Sequence, residues 1–115
     1  MTVVLLARDL FIGSRISAAA ERAGASFLQV ADPADLPPPD TVSFLLVAWD
    51  ERRPDWGERI TGWCVDAPLS APPRVVLFGP HTDLAAHADA RAAGLGPMWA
   101  RSKLVAELGS LLEGR

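Results

Sequence analysis

Short apolar runs and amphipathic segments alternate along this chain. The runs contain many β-branched and aliphatic residues, which is typical of strands that are buried on both faces of a parallel sheet. The strongest run, residues 42–49, has Ser43 as its only polar residue. The pattern predicts strands over residues 2–7, 26–30, 42–49, 74–78 and 98–100.

Between these strands, apolar residues recur at helical spacing, and polar or proline residues mark where each helix begins. The residues expected to cap or begin the four helices are Asp9, Pro54, Thr82 and Ser102. The first helix is predicted over residues 10–23, ending before Gly24. The apolar face of the second helix contains Trp56, Ile60, Trp63 and Cys64, and that of the last helix contains Leu104, Leu108 and Leu111.

The order of the elements predicts an α/β protein with three layers, in which helices cover both faces of a parallel sheet. Five strands in a chain of this length indicate the flavodoxin-like strand order 2-1-3-4-5. Residues 31–40 include four prolines, so we expect a proline-rich loop to shorten or replace the helix of the second crossover. With 115 residues and no internal boundary, residues 1–115 form one predicted domain.

Composition excludes several classes of protein. Half of the 115 residues are hydrophobic and 22% are charged, which is typical of a folded globular domain. The apolar runs are too short to span a membrane, and no secretion signal is recognisable, so we expect a cytoplasmic location. The single cysteine excludes an intrachain disulfide and a multi-cysteine zinc site. A net charge of −3 without a basic stripe argues against nucleic acid as a partner.

Two local patterns show what the chain resembles. One is Phe44–Asp50, a third strand and its exit, and the other is Arg91-Ala-Ala-Gly94, followed by a short strand and the last helix. In these segments and in element spacing, nearly the whole chain resembles the receiver domain of response regulators. A receiver binds Mg²⁺ with an acidic pair and phosphorylates an Asp, assisted by a hydroxyl residue and a Lys, because the metal and the Lys neutralise the phosphoryl charge.

The aligned chain lacks all of these groups. The receiver's acidic pair, acceptor, hydroxyl and Lys positions correspond to Ala7, Arg8, Ala48, Gly79 and Ala100, and its aromatic switch position corresponds to Pro97. The resemblance therefore implies a pseudo-receiver that cannot be phosphorylated, has no enzymatic activity, binds no metal or cofactor, and acts by protein contact. The usual receiver partner surface implies an interface, such as that of a homodimer, through Met98, Trp99, Arg101 and Leu104.

An alternative comes from two acids that lie two residues beyond the aligned positions. Asp9 and Asp50, with His81 and Arg101, would meet where the strands end. This group would suit a small ligand, a phosphate or a divalent metal, in a binding protein or an enzyme. The simpler interpretation is that both acids cap helices. Trp49 would then fill the space of the lost acid site.

The remaining candidates favour structural roles. We expect His81 to hydrogen-bond within its loop and His87 to face solvent or a neighbouring helix. Cys64 is interpreted as a small hydrophobic residue, and Trp56 and Trp63 as core residues. A regulatory subunit of a larger enzyme is a third hypothesis, and the partner, the pathway and the oligomeric state stay open.

Overall fold

A five-stranded, all-parallel sheet forms the centre of the computed structural model, which describes residues 1–114. Its strands are β1 (Thr2–Leu6), β2 (Ser26–Val30), β3 (Phe44–Ala48), β4 (Arg74–Gly79) and β5 (Trp99–Ala100). They lie in the order β2-β1-β3-β4-β5, which confirms the predicted topology. β1 and β3 are central and buried on both faces, which explains why their sequences are apolar without alternation.

Four α-helices cover the two faces of the sheet: α1 (Leu10–Arg22), α2 (Trp56–Val65), α3 (Leu84–Ala92) and α4 (Arg101–Leu112). One core lies between the sheet and the pair α1 and α4, and the other lies between the sheet and the pair α2 and α3. The predicted three-layer arrangement is therefore confirmed. Within residues 1–114, every helix is too short or too polar to cross a lipid bilayer.

The second crossover contains two single 3₁₀ turns, Pro33–Asp35 and Pro39–Thr41, in place of an α-helix. This confirms the expected proline-rich loop. The Trp63 indole Nε1 fastens the loop to α2 by donating to the Pro37 carbonyl over 2.8 Å. Because the loop gives less cover than a helix, Leu28 in the neighbouring strand β2 is left 42% exposed.

Several predicted boundaries shift by a few residues. β3 ends at Ala48, because Trp49 begins a 3₁₀ turn that continues to Glu51. The residue that caps α3 is Asp83 and not Thr82, since its carboxylate accepts from the Ala86 N–H over 3.0 Å.

The start of α4 also differs from the prediction. The helix begins at Arg101 directly after β5, so Ser102 lies within its first turn and does not cap it. The cap position falls on Ala100, whose methyl side chain cannot accept a hydrogen bond. The cap position therefore lies two residues earlier than predicted, at Ala100 and not at Ser102, and the tighter junction places Arg101 directly where β5 ends.

Candidate functional site

The ends of the parallel strands define one edge of the sheet, here called the carboxyl edge. Because all strands run in the same direction, the residues that end or follow them lie along this edge. The five positions that the sequence resemblance aligns with a receiver's reactive groups lie there: Ala7, Arg8, Ala48, Gly79 and Ala100. Ala7, Ala48 and Gly79 are buried and carry no side-chain oxygen or charge.

An arginine joins two carboxylates at this edge. Arg101 Nη1 lies 3.0 Å from Asp9 Oδ2, and Arg101 Nη2 lies 3.3 Å from Asp50 Oδ2. We call this arrangement the Arg101 bridge. The three side chains come from the ends of β1, β3 and β5, and all three are partly exposed. One guanidinium therefore supplies the positive charge that the two carboxylates share.

Asp9 is held in place by its own helix. Its Oδ1 accepts from the Phe11 N–H over 2.8 Å and, more weakly, from the Ile12 N–H over 3.4 Å, so Asp9 caps α1 as predicted. The Phe11 N–H and then Arg101 lower the pKa of the Asp9 carboxyl below its ordinary value. Asp9 is therefore ionised at neutral pH, as the Arg101 bridge requires.

Asp50 does not cap a helix. It lies in the 3₁₀ turn after β3, where no side chain caps the turn, and its carboxylate bonds to Arg101. The predicted capping role is therefore right for Asp9 and wrong for Asp50. The reason is that the chain leaves β3 through a turn and enters α2 only at Trp56, with Asp55 in the cap position.

A glutamine supports the loop between β1 and α1. Gln29 Nε2, from β2, donates to the Ala7 carbonyl over 2.9 Å and to the Asp9 carbonyl over 3.2 Å. A second tie joins the exits of β1 and β3, since the Arg8 backbone N–H donates to Glu51 Oε1 over 2.7 Å. These bonds fix the backbone on which the two carboxylates stand.

On its β4 side, the Arg101 bridge is closely packed. The Arg101 guanidinium lies over the ring of Phe78, 5.6 Å from its centroid. A Cβ atom added to Gly79 would lie 3.0 Å from Met98 Sδ and 3.5 Å from the Asp50 Cβ. Position 79, which the sequence resemblance aligns with a receiver's hydroxyl residue, is therefore closed by neighbouring side chains, and a serine or threonine there would require Met98 to move.

The site does not suit the magnesium ion of a receiver. A divalent cation needs several oxygen ligands at one point, but here the guanidinium of Arg101 already lies between the two carboxylates. In the part of the chain that the structure describes, no three His, Cys, Asp or Glu residues form a group that could hold a metal. The residues present therefore favour a permanent internal ion pair.

His81 makes no bond to this group, although the sequence places it at the same edge. The residue is exposed, and its carbonyl oxygen lies 2.9 Å from Nε2 of His87. Its ring makes no hydrogen bond or ion pair with any of residues 1–114. The partner of the His81 carbonyl is therefore a residue of α3 and not of its own loop, and of the four predicted edge residues Asp9, Asp50 and Arg101 are the ones that bond to one another.

Trp49 does not fill the lost acid site. Its indole Nε1 donates to the Ala86 carbonyl of α3 over 3.0 Å, and its ring is buried in the core beneath α2 and α3. The 3₁₀ turn after β3 directs the side chain to this face, away from the Arg101 bridge. Trp56 is buried in the same core and Trp63 packs at its margin, in agreement with the sequence.

Two of the four predicted interface residues are unavailable for contact. Met98 belongs to the core beneath α2 and α3, and Leu104 belongs to the core beneath α1 and α4. Their side chains are buried because Met98 packs against Gly79 and Leu104 faces the sheet from the first turn of α4. Trp99 stays half-buried, with Lys103 Nζ 4.3 Å from its ring centroid, and Arg101 takes part in the bridge.

The sequence reasoning missed two exposed apolar residues beside the Arg101 bridge. Leu10 and Phe11 begin α1, and Phe11 is 89% exposed. Phe11 borders an open groove of about 540 Å³ between α1 and α4, which Arg101 and Val105 also line. The signal was available, because both residues fall outside the apolar stripe formed by Ile12 and the residues that follow it at helical spacing.

Cys64 lies half-buried on α2. Burial raises the pKa of its thiol above the ordinary value, so the thiol is protonated at neutral pH. This agrees with its interpretation as a small hydrophobic residue.

Comparison with known proteins adds no relative: no family model matches the chain, and no curated protein is significantly similar to it in sequence. What the site does is therefore inferred from its own geometry.

Proposed function

We propose that this chain is a pseudo-receiver, a receiver-like domain that takes no phosphoryl group and acts in the cytoplasm by contact with other proteins. The Arg101 bridge is the observation that carries this proposal. It lies at the carboxyl edge, beside alanines and a glycine at the positions of the receiver's reactive groups. In this proposal the chain is not an enzyme and needs no cofactor.

The charges at the edge oppose phosphorylation. A carboxylate that attacks a phosphoryl group needs a cation to neutralise the negative charge that approaches it. Here the cation is Arg101, and it is already shared by Asp9 and Asp50. A phosphoryl group on either acid would add negative charge next to the other. The bridge therefore holds one charge state, which suits a domain that binds its partner constitutively.

Exposed apolar side chains beside the bridge support a role in protein contact. Leu10 and Phe11 are largely exposed at the start of α1, and Trp99 is partly buried, next to Lys103. Aromatic residues and arginine are enriched where proteins bind each other. A homodimer is one form of such contact, and a regulatory subunit bound to a larger enzyme is another.

The first test is an amide NMR titration with Mg²⁺ and then with beryllofluoride, a mimic of the phosphoryl group. We expect no shifts at Asp9 or Asp50 in the unmodified chain. Arg101→Met is the matched control, because it leaves both carboxylates without their cation and should shift these amides with Mg²⁺. A stoichiometric acyl phosphate formed on Asp9 or Asp50 with a small-molecule phosphodonor would refute the proposal.

The alternative function is a small-ligand protein or enzyme that uses Asp9, Asp50, His81 and Arg101. The open groove next to Arg101 favours it. Two observations weigh against it: the His81 ring makes no hydrogen bond or ion pair with the other three side chains, and the charges of those three are already paired with one another.

A further inference from the structure

The two edges of the sheet differ in how they are protected. β5 has only two residues, and the cations of Lys103 and Arg74 lie over the ring of Trp99. Short strands and positive charges are common ways to keep a sheet edge from pairing. β2, at the other edge, has five residues, Ser26–Val30, with no charge and no proline. The β2 edge is therefore the one open to another strand.

The backbone groups that face outward from β2 can be assigned from its pairing with β1. In a parallel pair, the N–H and C=O of one residue point to the same side. The Ser26 N–H donates to Met1 and the Val30 C=O accepts from Ala7, both over 2.9 Å, so residues 26, 28 and 30 face β1. Phe27 and Gln29 therefore direct their N–H and C=O groups to the open edge.

The side chains of β2 leave one face of this edge uncovered. Phe27 packs against the core beneath α1, and Gln29 reaches the same side at Gly13. Because side chains alternate along a strand, Leu28 points to the opposite face. The proline-rich loop gives little cover there, and Leu28 is 42% exposed.

We propose that β2 pairs antiparallel with β2 of a second copy of this chain, about a two-fold axis at Leu28. The outward groups of Phe27 and Gln29 are placed symmetrically about Leu28, so Phe27 of each copy bonds to Gln29 of the other. The two Leu28 side chains then meet in the close, non-hydrogen-bonded pair of the ladder. The result is a continuous ten-stranded sheet.

The charges next to β2 are compatible with this pairing. In this register Asp32 lies opposite Gly24 of the second copy, and it is the only charged residue in residues 24–32. No like charges therefore face each other across the pairing, although the whole chain carries a net charge of −3. The inference goes beyond the proposed function and is independent of phosphoryl chemistry at the carboxyl edge.

Sedimentation analysis of the full chain over a range of concentrations tests the pairing. We expect a reversible monomer–dimer equilibrium. Leu28→Lys places two like charges directly opposite each other, so it should raise the dissociation constant at least about tenfold. Leu69→Lys is the matched control, because Leu69 is 100% exposed in the loop between α2 and β4 and should leave the constant unchanged. Circular dichroism checks that both variants fold.

Hydrogen exchange on the unmodified chain gives a second measurement that needs no variant. The amides of Phe27 and Gln29 should be protected at dimer concentrations and exchange quickly in the monomer. The amides of Leu28 and Val30 bond to β1 and should be protected in both. A chain that is monomeric at every concentration overturns the proposal, as does a dimer that Leu28→Lys leaves intact or that leaves Phe27 and Gln29 unprotected. Pairing of β2 only with a strand of another protein would also overturn it.

Discussion

Replacing Gly13 with alanine tests how the first helix and the edge strand together hold the carboxyl edge. A Cβ atom on Gly13 would overlap Gln29 Oε1 and lie 3.0 Å from Gln29 Cδ. Gln29 would have to move, and its Nε2 would lose the bonds to the carbonyls of Ala7 and Asp9. The alanine is therefore expected to loosen the loop on which Asp9 stands.

The change in the free energy of unfolding is the difference between the helix propensity gained with alanine and the two hydrogen bonds lost by Gln29. Alanine inside a helix is more favourable than glycine by roughly 0.8–1 kcal/mol. Each hydrogen bond contributes about 0.5–1.5 kcal/mol, so losing both costs about 1–3 kcal/mol. Gly13→Ala should therefore lower the free energy of unfolding by about 1 kcal/mol.

Urea denaturation of a double-mutant cycle separates the two contributions. In a Gln29→Ala background there is nothing to displace, so Gly13→Ala should stabilise the protein by roughly 0.8–1 kcal/mol. Gly109→Ala in α4 is the control, because nothing lies within 4 Å of its added Cβ and it should stabilise the parent chain. If Gly13→Ala stabilises the parent as much as Gly109→Ala does, the reasoning is refuted.

Three further predictions concern the bridge, the core and the thiol. Arg101→Met should raise the pKa of Asp9, although the hydrogen bond from the Phe11 N–H keeps that pKa below its ordinary value. NMR titration of the Asp9 carboxyl carbon measures the change, and an unchanged pKa would contradict the prediction. Because folding lowers that pKa, ionised Asp9 stabilises the folded protein above about pH 4, and this stabilisation is lost as the pH falls through the folded-state pKa. The stability lost on acidification should be smaller in Arg101→Met than in the unmodified chain. Leu104→Ala, in a fully buried site, should cost about 2–5 kcal/mol in thermal or chemical unfolding, and a loss below about 1 kcal/mol would argue against that burial. Iodoacetamide should alkylate Cys64 more slowly at neutral pH than it alkylates free cysteine, and equal or faster labelling would contradict the raised pKa.

The sheet could be predicted from the sequence because strands that are buried on both faces have apolar sequences. The central strands β1 and β3 are apolar without alternation apart from Thr2 at the start of β1, and the four prolines exclude an α-helix from the second crossover. Asp9 was predictable as a helix cap because the hydrogen bonds that define a cap reach only two or three residues along the chain. Apolar runs, prolines and helix caps can all be recognised within a short segment of the sequence.

The candidate site was predictable only in part, because its contacts are not local. Strand ends place Asp9, Asp50 and Arg101 at one edge, but the sequence does not show that Arg101 lies between the two acids. That position depends on α4 beginning two residues earlier than a cap at Ser102 would place it. The indole of Trp49 was placed wrongly, because the 3₁₀ turn after β3 leaves its ring in the core beneath α2 and α3.

The Arg101 bridge can form only late during synthesis of the chain. Asp9 and Arg101 are 92 residues apart in the sequence, so the bond between them closes almost the whole chain into a loop. On a ribosome, the segments that carry Asp9 and Asp50 emerge before α4 does. A nascent or truncated chain that ends before Arg101 therefore lacks the cation that bridges these two acids. The bridge forms only in a chain that includes α4.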